Sequence, residues 1–280
     1  MIPLYESHCH TPLCKHAVGL PTEYALQAYR LGLAGITITC HNPMPNLFSA
    51  SVRMSPLEWE EYQRLVAQAT ELWQGRIDVR LGLEADYFPG YEQWLDQQIH
   101  SAPLSYVLGS VHPQIREYRE RFYSDDPVVQ QSTYFRLLAE AAETGLFDCL
   151  SHPDLIKNID PQQWQPERIM DVIAENLDRI ARTGVAMELN TSGVLKKIPE
   201  MNPFPGMLAM MQQRGIAVVL GSDAHKPERV GEGFPKALDL LQGVGYTEVA
   251  YFVDRERRRV SISELRDCFS QVSASSPGSR

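Results

Sequence analysis

The chain lacks the features that mark membrane and secreted proteins. No stretch approaches the ~18 consecutive apolar residues that a membrane-spanning helix needs, and the opening residues Met1-Ile2-Pro3-Leu4-Tyr5-Glu6 hold neither a basic segment nor an apolar one, so no secretory signal is expected. The five cysteines, Cys9, Cys14, Cys40, Cys149 and Cys268, form an odd, scattered set without a Cys-x-x-Cys pair. That pattern speaks against a disulfide framework and for free thiols in a reducing cytoplasm. Positive charge is also scarce: 26 Lys and Arg face 35 Asp and Glu, a net charge of −9. A broad nucleic-acid footprint, which needs clustered cations, is therefore not expected. A small anionic substrate remains compatible, because a metal or a few local cations reverse the field inside a cleft.

There is no repeat of fixed period and no linker that divides the chain. What the 280 residues do contain is an alternation. Short apolar, β-branched runs at 2–5, 35–39, 79–83, 106–111, 147–150, 185–189 and 216–220 suit strands buried on both faces, as in a parallel sheet. Helical segments lie between them. Ser55-Pro56-Leu57-Glu58 offers an N-cap, a proline at the first helical position and a capping-box glutamate, leading into 59–74. Further helices are expected over 127–144, 166–183 and 204–214, each followed by a glycine. Seven strand–helix units predict one α/β domain over 1–272, a barrel in preference to an open doubly wound sheet. The small polar residues 273–280 are expected to be a disordered tail.

Seven of the eight histidines fall at or just beyond the C-terminal ends of these strands: His8, His10, His16, His41, His112, His152 and His225. Only His100 sits within a helical segment. Glu84 and Asp223 share the strand-end placement. Any one histidine would most simply be an ordinary hydrogen-bonded side chain. Seven on one rim are different, because the C-terminal ends of parallel strands converge at the mouth of an α/β barrel. Residues i and i+2 of a strand share a face, so His8 and His10 can bind one ion. Imidazoles with a few carboxylates suit Zn, Fe or Mn rather than Ca or Mg. Nine candidate ligands are too many for one ion and would serve two or three.

The ordered motifs resemble the PHP (polymerase and histidinol phosphatase) superfamily, and within it the monofunctional histidinol-phosphatases. The matching segments are His8-x-His10, Leu13-Cys14-Lys15-His16-Ala17, His41-Asn42-Pro43, Gly82-Leu83-Glu84-Ala85-Asp86-Tyr87, Gly109-Ser110-Val111-His112, Ser151-His152-Pro153-Asp154, Glu188-Leu189-Asn190-Thr191-Ser192-Gly193 and Gly221-Ser222-Asp223-Ala224-His225. The resemblance implies a distorted seven-stranded (β/α) TIM-like barrel and a trinuclear site. One ion would take His8, His10, Glu84 and Asp223, a second Glu84, His112 and His152, and a third His16, His41 and His225. Two positions depart from the family pattern. Cys40 stands where relatives carry Asp before the residue matching His41, and Glu6 where they often carry Asp before the first histidine; both positions are expected to lie behind the ligands.

The resemblance implies a phosphomonoesterase, L-histidinol phosphate as substrate, and a hydroxide shared between two ions ~3.5–4 Å apart as the in-line nucleophile. Glu84, Asp223 and His225 are the catalytic candidates, with Asp223 or His225 assisting proton transfer. Lys157 and Lys197, just beyond strand ends, are the candidate phosphate contacts, chosen over Lys196. The segments 41–55 and 114–126 are candidate covers for the pocket. Another small phosphate or a nucleotide is the alternative substrate. An amidohydrolase-type hydrolase is a weaker alternative, since no strand ends in a lysine suited to bridge two ions.

Overall fold

The structure is a computed structural model that describes residues 1–275, with side chains through residue 271. All seven expected strands are present: β1 (Ile2–Glu6), β2 (Leu33–Ile38), β3 (Asp78–Asp86), β4 (Tyr106–Ser110), β5 (Cys149–Leu150), β6 (Ala186–Asn190) and β7 (Val218–Gly221). Each pairs in parallel with the next, and β8 (Glu248–Val253) pairs in parallel with β7. A parallel ladder whose crossovers are helices has both faces covered, which is why these strands read as continuous apolar runs. The helices are α1 (Pro21–Arg30), α2 (Trp59–Trp73), α3 (Glu92–His100), α4 (Arg116–Phe122), α5 (Pro127–Glu143), α6 (Met170–Thr183), α7 (Pro205–Gln213), α8 (Phe234–Gly243) and α9 (Ile262–Ser275).

The ladder order β1 to β9 is sequential and does not return to β1. Closure comes from two other contacts. At the C-terminal rim, Cys9 just past β1 bridges Ala224 just past β7, with His10 N–H donating to Ala224 O at 3.0 Å and Ala224 N–H to His8 O at 3.0 Å. The ring at the rim therefore contains seven strands. Elsewhere β8 fills the seam, where Tyr251 stacks on Tyr5 of β1 with ring centroids 5.2 Å apart. Gly35 on β2 permits this, since a Cβ there would lie 2.1 Å from Cε1 of Tyr5. Inside the barrel Tyr106, Leu108, Cys149, Ala186, Val219, Ala250 and Phe252 make a small core, and the larger core lies between sheet and helices.

Local chemistry accounts for most element ends. Ser55 N–H donates to Glu58 Oε2 at 2.6 Å, the half of the capping box that fixes the entry to α2. α6 buries Ile173, Asn176, Leu177 and Ile180 on one face, and Gly184 at φ 75° stops it. Burying each of those isoleucines and leucines contributes about 1.5–3 kcal/mol.

The sequence reading needs four corrections. The hairpin of β8 and β9 (Glu256–Ser261) was not expected. Its two-residue turn uses Asp254 and Arg255, both at positive φ, in place of the usual Asn-Gly, and β9 is a charged edge strand without an apolar run. Residues 116–122, read as loop, form α4. Pro166–Arg168 is a separate single turn ahead of α6. Residues 273–275, assigned to a tail, end α9, and 276–280 lie outside the described residues.

Candidate metal centre

Glu84, near the end of β3, is fully buried and stands at the middle of the histidines. Its Oε2 lies 3.4 Å from His8 Nε2, 3.5 Å from His10 Nε2 and 2.8 Å from His41 Nδ1. Its Oε1 lies 3.1 Å from His152 Nε2 and 3.4 Å from His112 Nε2, and accepts from Ser110 Oγ at 2.6 Å. One carboxylate thus faces two separate imidazole groups. Asp223 completes the first, with Oδ1 3.1 Å from His10 Nε2 and 3.7 Å from His8 Nε2. His16 and His225 stand further out, their rings 4.6 Å apart, and His225 stacks on His10 at 4.0 Å. The nine residues singled out from the sequence are brought to one rim, while His100 lies exposed on α3.

Four of the seven imidazoles are pinned through Nδ1, which leaves Nε2 aimed into the site. Glu188 Oε1 holds His8 Nδ1 at 2.7 Å, and Asp86 Oδ1 holds His112 Nδ1 at 2.9 Å. The carbonyls of Cys14 and Asp223 hold Nδ1 of His16 and His225 at 2.7 and 3.0 Å. An acceptor on Nδ1 fixes the tautomer with a lone pair on Nε2, which is how metal-binding histidines are oriented. Glu188 and Asp86 were quoted in the sequence motifs but given no role there. Asp86 was reachable by the same i, i+2 argument as His8 and His10, because it shares a face of β3 with Glu84.

Two ligand candidates sit on unfavourable backbone. His152 has φ 23° and Asp223 φ 49°, a region that costs non-glycine residues free energy. Surrounding bonds hold them: His152 N–H donates to Glu188 Oε2 at 2.8 Å, and Ser192 Oγ donates to Asp223 Oδ2 at 2.9 Å. Glu6 stitches the same region without touching a ligand ring, accepting from the backbone of His8, Ser222 and Gly231.

The charges are strongly coupled. Burial alone would lower His8, but Glu188, Glu84 and Asp223 outweigh it and raise it well above the usual imidazole value. Burial is likewise outweighed at His10, where Asp223 leads the opposing groups, and at His112, where Asp86 does; they are pushed up to about 9 and about 10. His41 goes the other way, to about 4, because burial there is only partly offset by Glu84. Burial raises Glu84 and Asp223, but the facing imidazoles hold both well below the carboxylate range. Several atoms at the centre are buried without a hydrogen-bond partner: His8 Nε2, His10 Nδ1, His41 Nδ1, Glu84 Oε2 and His225 Nε2. Each such atom costs about 1–3 kcal/mol. Unpartnered imidazole nitrogens gathered around the Glu84 carboxylate fit divalent cations, for which nitrogen and carboxylate donors of this kind are the usual shell.

The lysine expectations need correction. Lys157 is fully buried, with Nζ 3.0 Å from Asp154 Oδ2 and donating to Glu200 Oε2 at 3.1 Å and Met201 O at 2.8 Å. Its three donors are engaged in a structural knot, so it has none for a phosphate. Lys197 is exposed, whereas its neighbour Lys196 reaches inward to 3.6 Å from Asp223 Oδ2. Adjacent residues on an extended chain point to opposite sides, and spacing alone could not choose between them.

A cavity of about 590 Å³ opens beside His16, His41 and His112. Both candidate cover segments line it, through Leu47 and residues 49–53 on one side and Gln114, Arg116 and Arg119 on the other. They are tied together by Glu117, whose carboxylate accepts from Ser49 N and Oγ at 3.0 Å each. Among the described residues no helix is long and apolar enough to cross a membrane.

Known proteins resemble this chain in sequence and in fold. The PHP domain model matches residues 6–192. A probable histidinol-phosphatase of Deinococcus radiodurans is 38% identical over 268 residues, spanning 90% of this chain and 97% of that protein. The histidinol-phosphatase of Bacillus subtilis is 26% identical, spanning 84% and 98%. Among solved structures, the histidinol phosphate phosphatase of Lactococcus lactis, complexed with Zn, L-histidinol and phosphate, has the same fold at a TM-score of 0.74, with 21% identity and coverage of 92% of this chain and all of that one. The chain belongs to the PHP domain family.

Proposed function

We propose that this protein is a metal-dependent phosphomonoesterase that hydrolyses L-histidinol phosphate to L-histidinol and phosphate, in the cytoplasm, as a step in histidine biosynthesis. The observation that carries the reading is Glu84, a buried carboxylate with one oxygen facing His8 and His10 and the other facing His112 and His152. The names of the two curated relatives supply the substrate. His8, His10, Glu84 and Asp223 would hold one divalent ion, Glu84, His112 and His152 a second, and His16, His41 and His225 a third, of Zn, Fe or Mn. Ions held there would make water acidic enough to deprotonate near neutral pH and would neutralise charge on a phosphoryl group.

The protein's own residues do the rest. Glu188 and Asp86 orient the imidazoles of His8 and His112. Asp223 is ionised, carries Ser192 on one oxygen and faces His10 with the other, so it is placed to hold a proton between nucleophile and leaving group. Lys196 supplies a cation at the same rim for a phosphate dianion. The adjoining cavity is of a size for a small metabolite, and Arg116 and Arg119 favour an anionic one.

The test is phosphate release from L-histidinol phosphate beside a panel of small phosphomonoesters and a nucleotide, with metal content measured on the same sample. Preferential release from L-histidinol phosphate is expected. Faster release from another ester would keep the chemistry and replace the substrate, and no release by metal-loaded protein would sink the reading.

A further inference from the structure

The outermost ligand group holds a side chain that the family resemblance does not name. The rings of His16, His41 and His225 have centroids 5.6, 4.6 and 6.5 Å apart, and His41 turns its Nδ1 toward Glu84 Oε2 at 2.8 Å. The side chain that closes the group is Cys14. Ligand atoms of Cys14, His16 and His225 all lie within 4.8 Å of one another. Cys14 is fully buried, and its sulfur is also within that distance of ligand atoms of His10 and Cys40.

Local sequence builds this arrangement. Thr11 Oγ1 accepts from Leu13 N–H at 3.4 Å and starts the single turn Pro12–Cys14. Lys15 follows at φ 71° and reverses the chain, so that His16 folds back and donates from Nδ1 to Cys14 O at 2.7 Å. His16 Nε2 is then left with its lone pair. His225 is prepared in the same way by Asp223 O, and its Nε2 is buried without a hydrogen-bond partner. The second thiol, Cys40, is occupied differently, since Thr11 Oγ1 donates to its sulfur at 3.2 Å. A buried thiol and two oriented imidazole nitrogens form a soft N,N,S donor set, which suits zinc or cobalt better than manganese.

We propose that Cys14 Sγ is a ligand of the third ion, beside His16 and His225. The S–H proton passes to solvent as the metal–sulfur bond forms, and Cys40 remains a protonated thiol behind it. The proposal rests on the metal-centre reading above and deepens it. It makes the third site the zinc-selective one, and the two sites that share Glu84 the more permissive ones.

The test uses full-length protein loaded with cobalt or zinc. Cobalt-loaded protein is expected to show a near-ultraviolet thiolate-to-cobalt charge-transfer band that is lost in Cys14→Ser and retained in Cys40→Ser. Cys14→Ser should also bind one ion fewer per chain, with third-ion affinity down at least about tenfold, a loss of the size typical of weakened ligation. X-ray absorption at the zinc edge of the unaltered protein and of Cys40→Ser should show sulfur at about 2.3 Å, which keeps the test open should Cys14→Ser fail to fold. Absence of sulfur from the zinc shell, a band that survives in Cys14→Ser, or one lost only in Cys40→Ser would overturn the proposal. Three bound ions and intact hydrolysis without any sulfur ligand would overturn it alone and leave the phosphatase reading standing. Failure to bind metal at all would remove both.

Discussion

Asp86 offers a perturbation that separates fold from function. Its Oδ1 holds His112 Nδ1 at 2.9 Å, while its Oδ2 accepts from Arg53 Nη2 at 2.5 Å. Arg53 is only 2% exposed; its Nη1 also donates to the carbonyl and side-chain oxygens of Asn42 at 3.0 and 3.1 Å, and its guanidinium lies 5.5 Å from the Phe48 ring centroid. Replacing Asp86 by Ala leaves a buried guanidinium without its counter-ion, which costs about 3–5 kcal/mol. It also frees the His112 ring, and loss of such an orienting partner weakens a metal site by roughly 10–100-fold. Adding Arg53→Met removes the stranded charge. The double variant should return to within about 2 kcal/mol of the parent, since an apolar pair of similar volume tolerates burial, while the metal defect persists. Urea unfolding with chelator present, so that ion binding does not contribute, reads the first effect, and ions retained per chain after dialysis read the second. The reasoning is refuted if the double variant is no more stable than Asp86→Ala, or if Asp86→Ala retains its ions as the parent does.

The lysines and the raised histidines carry the remaining predictions. Lys157→Met should destabilise the fold by about 2–3 kcal/mol, below the full cost of a broken buried pair because Asp154 keeps the N–H groups of Asn202 and Phe204, and should leave KM for the ester unchanged; Lys196→Ala should keep stability and lower kcat/KM about tenfold. An effect of Lys157→Met on KM, or none of Lys196→Ala on kcat/KM, would reverse the assignment. At pH 7.5 the ion-free protein holds protons on His8, His10 and His112, so zinc should displace about two to three protons per chain. Titration calorimetry in buffers of different ionisation enthalpy reads this, and heat independent of buffer refutes it. Because these folded-state values are raised, their contribution to ion-free stability is complete below the ordinary imidazole value near 6.5 and is lost as pH rises through about 9 and about 10. Melting of stripped protein should therefore fall over that window.

The strands, the main helices and the rim of histidines were legible because each has a local cause: apolar runs for strands covered on both faces, caps and glycines for helix ends, and a topology that gathers strand ends. What stayed hidden depends on contacts between distant segments. The β8–β9 turn works with Asp254 and Arg255 because the flanking ladder holds them at positive φ, and no residue there advertises it. The choice between Lys157, Lys196 and Lys197 turns on Asp154 and Glu200, which capture the first, and on which side of the chain faces Asp223. Cys14 read only as one of five scattered free thiols, because two of the groups beside it, Cys40 and His225, lie far along the chain.

The most direct test of the account is kcat/KM for L-histidinol phosphate in Glu84→Gln, measured beside the parent with ion content determined on both. Gln keeps the shape of the bridge and removes its charge. The account predicts a fall of at least roughly 10³-fold, about 4 kcal/mol of transition-state stabilisation, together with loss of ions from the paired sites. A variant that turns over within a few-fold of the parent, with its ions retained, would contradict it.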